Sequence, residues 1–447
     1  MRDIIRRCAA FAALSLVGAN VSGQAPSDEL PQPLTLEHAL AIADELSPAM
    51  AVAEAEVRVA HAARLAAQSR TGIDARIEGR LQWVEPSPVA ESQGNEDHRI
   101  GLIVSKNLYD FGRSEAGVEA ANLAEQGGTY LFLNARQQYR LKVMRRFFDV
   151  LLSDLALLRD NEEMAVAYVQ LDRLRQRRDL GEVSDLDVLE QEVIYQRARH
   201  QRLQSQNQQR ATRSRLALAL NRPSALPAEL IMPPLPAVER GLPEVETLQE
   251  QALQNNSRLQ ALRSQAAAAQ QRVQAARAGA RPTLRGAVEA YDYSRQLGRD
   301  DTFRAGLHLD VPLFTGGAVD AAVAKEQAEV YRVQAQLAQL EHEIRQSVLD
   351  TWLELDSLRI RLQGVAALGS FRELYLDRSR ALYEMEVKTD LGDSMVQLSE
   401  AQLQELQVKF EIELAWARMD ALTGVMQDDG ARMSEPSAAP ASPGESG

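Results

Sequence analysis

Residues 73–83 read IDARIEGRLQW, and apolar or small side chains alternate with polar ones along the whole run. A second run, residues 303–313, reads FRAGLHLDVPL and places its apolar side chains at every other position. Alternation with a period of two is the pattern of a β-strand with one apolar face and one wetted face. A run of about 11 residues also has the length of a tilted strand that crosses a membrane. We predict membrane-spanning strands over 73–83 and 303–313.

Residues 100–109 and 283–291 alternate more weakly, so each strong strand has a neighbour with which to form a hairpin. One such hairpin alone would favour a half-buried sheet of a soluble protein. Two equivalent hairpins, together with a secretory signal at the N-terminus and rod-like helices, favour a sheet with lipid on one side. Trp83 and Tyr109 are candidates for an aromatic girdle at the membrane surface, with core packing as the alternative. The side chains predicted to face lipid are Ile73, Ile77, Leu81, Trp83, Leu307, Leu309 and Val311.

The number of strands has a consequence for assembly. Four strands cannot close a barrel, and lipid does not tolerate open sheet edges. About eight strands are the smallest number that spans a membrane as a barrel. Several copies of the chain must therefore pool their strands, and the count leaves two, three or four copies open.

Stretches without glycine or proline predict unusually long helices. Residues 129–180 and 318–363 lack both, which corresponds to rods of roughly 78 and 69 Å at 1.5 Å per residue. A shorter helical segment precedes the strands in each half, over 35–70 and 244–278. An apolar seam with heptad spacing runs along the first rod, at Leu141, Met144, Phe148, Leu151, Leu155 and Leu158, with a second seam beside it at Phe147, Val150 and Leu157. Rods with two seams can be packed on both sides, and such rods form a wall.

The chain has two similar halves. Residues 108–112 match residues 313–317 at an offset of 205, and the same offset pairs Phe147 with Trp352. We therefore predict a signal peptide, a first repeat, a proline-rich linker, a second repeat and a disordered tail. Their bounds are 1–23, 24–222, 223–243, 244–426 and 427–447.

Composition and the N-terminus narrow the class of protein. Basic residues at positions 2, 6 and 7 precede an apolar run, as in a secretory signal peptide. The single cysteine, Cys8, lies in this segment, so the mature chain has no disulfide. The net charge of −13 tells against nucleic acid as a partner. Six scattered histidines and the lack of a phosphate-binding or nucleophile motif predict no metal, no cofactor and no enzymatic activity.

Four motifs in order resemble those of the TolC-type outer membrane efflux proteins: LTLEHAL at 34–40, LYDFGR at 108–113, DLGEVSDLDVL at 179–189 and ALTG at 421–424. The resemblance implies a mainly α fold with a membrane β-barrel. Three chains would share a 12-stranded barrel in the outer membrane, and their long helices would form a periplasmic α-barrel. The implied partners are a homotrimer, outer membrane lipid, a periplasmic adaptor and an inner-membrane transporter of the RND or ABC type. The implied function is the passive exit duct of a tripartite efflux system for drugs, metals or other small molecules.

The resemblance also places the periplasmic tip. The turn Leu180-Gly181-Glu182 is similar to the family's adaptor-contacting Val-Gly-Leu turn, with an acid at its third position. Gly181 suits a turn because glycine adopts positive φ at little cost. Ser184 and Asp187 have the spacing of a capping box. In the second tip segment, Lys388 matches the family's basic position.

In the family, two aspartates beyond that basic residue constrict the aperture. Gly392 and Met395 stand at those positions in this chain, and Asp390 and Asp393 lie nearby. We hypothesise that Asp390 or Asp393, repeated in three copies, gives the channel a preference for cations. The alternative is an ordinary solvated turn.

Two other functions stay open at the level of sequence. Type I protein secretion would use the same kind of duct, since the tunnel wall is generic and the transporter selects the cargo. A soluble periplasmic coiled-coil scaffold or adaptor would explain the heptads and the signal peptide. It would leave the four amphipathic strands unexplained.

Overall fold

The structure is a computed structural model that describes residues 32–44, 47–90, 93–225, 228–294, 301–385, 387 and 391–425. The predicted signal peptide and C-terminal tail lie outside these residues. The first half contains α1 (Leu36–Asp44), α2 (Pro48–Ser69), β1 (Ile73–Arg80), β2 (Arg99–Tyr109), α3 (Arg113–Asp179) and α4 (Asp185–Ala219). The second half contains α5 (Val245–Asn255), α6 (Ser257–Arg277), β3 (Thr283–Tyr293), β4 (Phe303–Asp310), α7 (Ala318–Glu384) and α8 (Leu391–Thr423).

Helices dominate the structure, so the predicted mainly α fold with four strands is confirmed. The order of two helices, two strands and two long helices occurs twice along the chain. The interpretation of the halves as repeats, with the bounds given above, stays a prediction. Within the described ranges, no helix combines the length and the apolar character that crossing a bilayer requires.

The two rods are longer than predicted. Helices α3 and α7 have 67 residues each, which is about 100 Å at 1.5 Å per residue. The glycines that were expected to end α3 lie inside it, because two helices cross it closely there. A Cβ atom on Gly127 would lie 3.2 Å from the carbonyl oxygen of Ala261 on α6. One on Gly128 would lie 3.7 Å from Ala60 on α2.

The helical segments predicted over 35–70 and 244–278 are each broken in two. Ser47 caps α2, with its Oγ accepting from the backbone N–H of Met50 at 3.2 Å. Asn256 caps α6 in the same manner, and its Nδ2 donates to the carbonyl of Leu422 at 3.1 Å. Both breaks therefore follow from side-chain caps that compete with helix continuation.

Strands β1 and β4 are shorter than predicted, so Leu81, Trp83 and Val311 lie just beyond them. In β4 the cause is Pro312, which has no N–H for the ladder. Beyond the end of β1, the backbone N–H of Gln82 donates to His98 Nδ1 at 3.3 Å. A side chain thus takes the place of the backbone carbonyl that would accept this hydrogen bond in a regular β-ladder.

The core is a belt at the mid-length of the two long helices. In the first half it centres on Val143, Phe147 and Phe148 of α3, all at most 1% exposed. In the second half, α7 buries Leu340, Ile344, Val348, Leu355 and Leu358 against α5 and α8. The ring of Phe148 stacks on that of Phe410 of α8 with centroids 4.1 Å apart. Helix α8 contributes to both clusters, since its Val408 and Ile412 belong to the second. Only part of the first predicted seam is buried in one chain, since Leu158 is 53% exposed.

The proline-rich segment 223–243 is packed against this belt. The carbonyl of Pro243 accepts from Trp352 Nε1 at 2.8 Å, and the guanidinium of Arg240 lies 4.0 Å from the ring centre of Trp416. Glu413 Oε1 accepts from the backbone N–H of Ala237 at 2.8 Å, and burial raises the pKa of this carboxyl. The segment thus ties the middle of the helices together.

Candidate pore wall and periplasmic tip

The four strands form one antiparallel sheet in the order β1-β2-β3-β4. Residues directly opposite each other in antiparallel strands point to the same face. Ile73 lies opposite Lys106, which lies opposite Gly286, which lies opposite Leu307. This register assigns every strand residue to one of two faces.

One face of the sheet is almost wholly apolar. The predicted lipid-facing residues Ile73, Ile77, Leu307 and Leu309 all lie on it, and Ile77 and Leu307 are 74% and 70% exposed. The two middle strands extend the same face. Its members, apart from Lys106 and Asp292 near the strand ends, are Ile73, Ala75, Ile77, Gly79, Ile100, Leu102, Val104, Leu284, Gly286, Val288, Ala290, Phe303, Ala305, Leu307 and Leu309.

The opposite face is polar and carries ion pairs. Arg76 pairs with Asp74 at 3.0 Å on β1. Between strands, Arg99 lies 3.8 Å from Glu78, and Arg304 lies 3.7 Å from Glu289. The sheet therefore has one face suited to hydrocarbon and one suited to water.

The polar face contains one close approach between strands. The ring of Tyr291 covers Gly101, and a Cβ atom on Gly101 would lie 2.3 Å from Tyr291 Cδ1. The guanidinium of Arg99 lies 5.4 Å from the centre of the same ring. Only glycine leaves room for this arrangement without moving the ring.

Both outer edges of the sheet are open. Strand β1 pairs with β2, and β4 pairs with β3. Across the described ranges, no further strand covers the other side of β1 or β4. Each edge presents backbone N–H and C=O groups that a strand of another chain can bind.

The first tip turn joins α3 to α4 and is solvent-exposed. Gly181 has φ of 75°, which confirms the predicted left-handed conformation. The N–H of Glu182 donates to the carbonyl of Arg177 at 2.9 Å, and the side chains of these two residues pair at 3.0 Å. The predicted capping box of Ser184 and Asp187 is also confirmed. Hydrogen bonds from Ser184, first from its hydroxyl and then from its backbone N–H, lower the pKa of the Asp187 carboxyl.

The second tip turn is only partly described. Lys388 and Asp390 lie outside the described residues. Asp393, in the first turn of α8, is exposed, and its Oδ1 accepts from Gln170 Nε2 of α3 at 3.4 Å. The neighbouring Gly392 allows α8 to approach α3, because a Cβ atom there would lie 2.7 Å from Val166.

A polar cluster between helices was missed in the sequence. Asp160 of α3 is 0% exposed. It accepts from Ser205 Oγ of α4 and from Arg159, whose guanidinium also donates to Glu400 of α8. The cluster joins three helices between the core belt and the tip. Heptad spacing could have placed Asp160 on the buried face of α3, since it lies seven residues after the buried Ser153, but could not have supplied its partners on α4 and α8.

No cofactor or metal role is assigned to these residues. In the described part of the chain, no three His, Cys, Asp or Glu side chains are placed to hold a metal ion.

The geometry defines a class of protein. Two rods of about 100 Å, their partner helices and an amphipathic sheet with two open edges form a segment of a channel wall, since neither the sheet nor the helical layer is closed within one chain.

Known proteins with similar sequences support this class. Residues 248–425 match the family described as outer membrane efflux protein. The outer membrane efflux protein BepC of Brucella suis is 22% identical over 72% of this chain and 72% of its own length. The resemblance seen in the sequence is confirmed. So is the predicted localisation in the outer membrane with a periplasmic extension.

Solved channels share the fold. The structure superimposes on the transmembrane channel CusC with a TM-score of 0.72, at 15% identity, over 87% of this chain and 92% of that one. For the outer membrane protein VceC of Vibrio cholerae the TM-score is 0.69, at 17% identity, over 87% and 96% of the two chains.

The contact between Gly101 and Tyr291 predicts a stability difference. Gly101→Ala should destabilise the folded protein by about 1–3 kcal/mol, because the added methyl group displaces a packed ring. Gly79→Ala is the matched control, since a Cβ atom at Gly79 meets nothing within 4 Å. Thermal unfolding in detergent measures both variants. Equal midpoints for the two would contradict the described packing.

The conformation of Gly181 predicts a local effect. Gly181→Ala should cost about 1 kcal/mol, because alanine is strained at positive φ. Gly181→Asn should cost less, since asparagine tolerates this region better. Hydrogen exchange of the Glu182 amide reports opening of the turn and should be fastest in the alanine variant. The same exchange rate in both variants would refute a left-handed Gly181.

Proposed function

We propose that three copies of this chain form the exit duct of a tripartite efflux system. The observation that carries the proposal is the sheet, which has one apolar face, one polar face and two open edges, at the end of a layer of rods. A passive conduit needs a water-filled path and an apolar exterior. The arrangement of the two faces supplies both.

The sheet edges support pooling of strands between copies. In a four-stranded antiparallel sheet the first and last strands run in opposite directions. Strand β4 of one copy can therefore continue the antiparallel order with β1 of the next. Three copies give a closed sheet of 12 strands, an even number as in bacterial outer membrane barrels, and trimers are what the family resemblance implies.

The helices support contacts between copies as well. On α7, residues Leu353, Ile360, Ala367 and Leu374 recur every seventh position and are exposed, with Leu374 at 72%. On α4, Leu186, Leu189 and Val193 are exposed at spacings of three and four. Such stripes are coiled-coil seams without a partner in one chain. A neighbouring copy would cover them and close the helical layer into a tunnel.

The tip turns are the proposed docking end. Leu180, Gly181 and Glu182 project from the far end of the rods, and Leu180 is 75% exposed. We assign these residues and Lys388 to contact with a periplasmic adaptor. Asp390 or Asp393 remains our candidate for the acidic aperture ring, and the exposure of Asp393 is consistent with that role.

The alternatives differ in how well they account for the sheet. Protein secretion would use the same kind of duct, so the sheet does not separate it from efflux. A soluble scaffold would leave the apolar face of the sheet in water, where large exposed apolar patches are disfavoured.

Two neighbouring residues on opposite faces of β4 test the proposal. Leu307→Arg should reduce the trimer in the outer membrane fraction, because an arginine on the lipid face costs about 2 kcal/mol or more. His308→Arg on the polar face is the matched control and should assemble like the native protein. Cells that make only the Leu307→Arg variant should also accumulate a fluorescent efflux dye. Equal recovery of both variants as soluble periplasmic protein would refute the duct and favour the scaffold.

A further inference from the structure

A cavity of about 760 Å³ lies where the sheet meets the helices. Asn107 and Arg285 lie opposite each other in β2 and β3, and Asp310 of β4 lies opposite Thr283. All four line the cavity and belong to the polar face of the sheet. The cavity therefore opens on the side that the proposed function assigns to the water-filled path.

The lining of this cavity is rich in cations. Five come from five different elements or their ends, namely Arg70, Arg113, Arg272, Arg285 and Lys325. Three carboxylates accompany them, Asp110, Asp310 and Glu326. We call this arrangement the basic basin.

One of those carboxylates is already engaged. Asp110 is 8% exposed. Its Oδ2 accepts from Asn107 Nδ2 at 3.0 Å and from the backbone N–H and hydroxyl of Ser114 at the start of α3. As far as the structure describes the chain, none of the five cations forms an ion pair. The basin thus presents positive charge and unused donors to solvent.

The surplus is local to the basin. On the part of the polar sheet face further from the helices, Arg76, Arg99 and Arg304 each lie within 4 Å of a carboxylate. The chain as a whole has a net charge of −13. The basin therefore carries a local excess of positive charge in a chain whose net charge is negative.

The positive potential of the basin extends further along α7. The pKa of the half-buried Glu329 on α7 is lowered, chiefly by its hydrogen bond with Arg332, and Arg272 and Lys325 add to that effect. Both cations belong to the basin.

We propose that the basic basin binds anionic solutes, such as phosphates and carboxylates, as they pass along the duct. Arginine forks bind such oxyanions in bidentate geometry. Three copies would place three basins at one level, and a ring of charge in a narrow path concentrates counter-ions. The proposal rests on the proposed function for the position of the basin inside a conduit, and it assigns a local anion-binding site to the wall where the sheet meets the helices.

Inorganic pyrophosphate is the probe for the test, with the mature protein purified in detergent. Isothermal titration calorimetry at low salt measures its binding, and light scattering on the same sample measures the number of chains. The double variant Arg272→Gln, Arg285→Gln should bind pyrophosphate at least about tenfold more weakly, because two charge-assisted contacts are lost. Both side chains are exposed, so the variant should fold, and circular dichroism checks this.

The matched control removes the same charge elsewhere. Arg173→Gln, Arg380→Gln changes two exposed cations near the tip end of α3 and α7. It should bind pyrophosphate like the native protein. If the native protein does not bind pyrophosphate, or if both double variants lose affinity equally, the basin is not an anion site. Binding that is lost only in the basin variant, in a protein that proves monomeric, would uphold the site and overturn the duct.

Discussion

The need to satisfy backbone hydrogen bonds in the hydrocarbon core of a membrane is the constraint on which the rest of the structure depends. A peptide group in hydrocarbon has no water to bind, so every strand in a membrane needs a partner on both sides. In this sheet three pairs of neighbouring strands form within one chain, and the outer edges of β1 and β4 are open. Its apolar face makes lipid the natural surroundings. We therefore interpret the chain as one segment of a wall, and we propose that copies meet at its sheet edges and helix seams.

The helical layer is also incomplete within one chain. The core belt packs both rods against their partner helices at mid-length, and within it Phe148 of α3 stacks on Phe410 of α8. Closer to the tip, the cluster at the buried Asp160 joins α3 to α4 and α8. Away from the belt, exposed apolar stripes remain on α4 and α7. The single chain is thus most complete at its centre. In the proposed duct, neighbouring copies would cover its sheet edges and helix seams.

The sequence predicted those parts of the fold that have a strong period. Alternation located β1 and β4, while β2 was weaker because Ile103 is buried on the polar face and Lys106 lies on the apolar one. The helix predicted from residue 129 onwards was too short, because Gly127 does not end α3 but lets α6 pack closely against it. Gly181 and its capping box could be predicted because their chemistry is local. The polar cluster at Asp160 and the basic basin could not be assembled from periodicity, since their members come from separate elements.

Cross-linking between copies is the most direct measurement. The only cysteine, Cys8, lies in the predicted signal peptide. Ala75→Cys in β1 and Ala305→Cys in β4 place one thiol on each edge strand, and a flexible bis-maleimide can join them. Val104→Cys with Val288→Cys is the control, since these positions pair within one chain. We predict cross-linked dimers and trimers on a denaturing gel for the edge pair. Monomers alone from the edge pair, with the control pair fully linked, would contradict a sheet shared between copies.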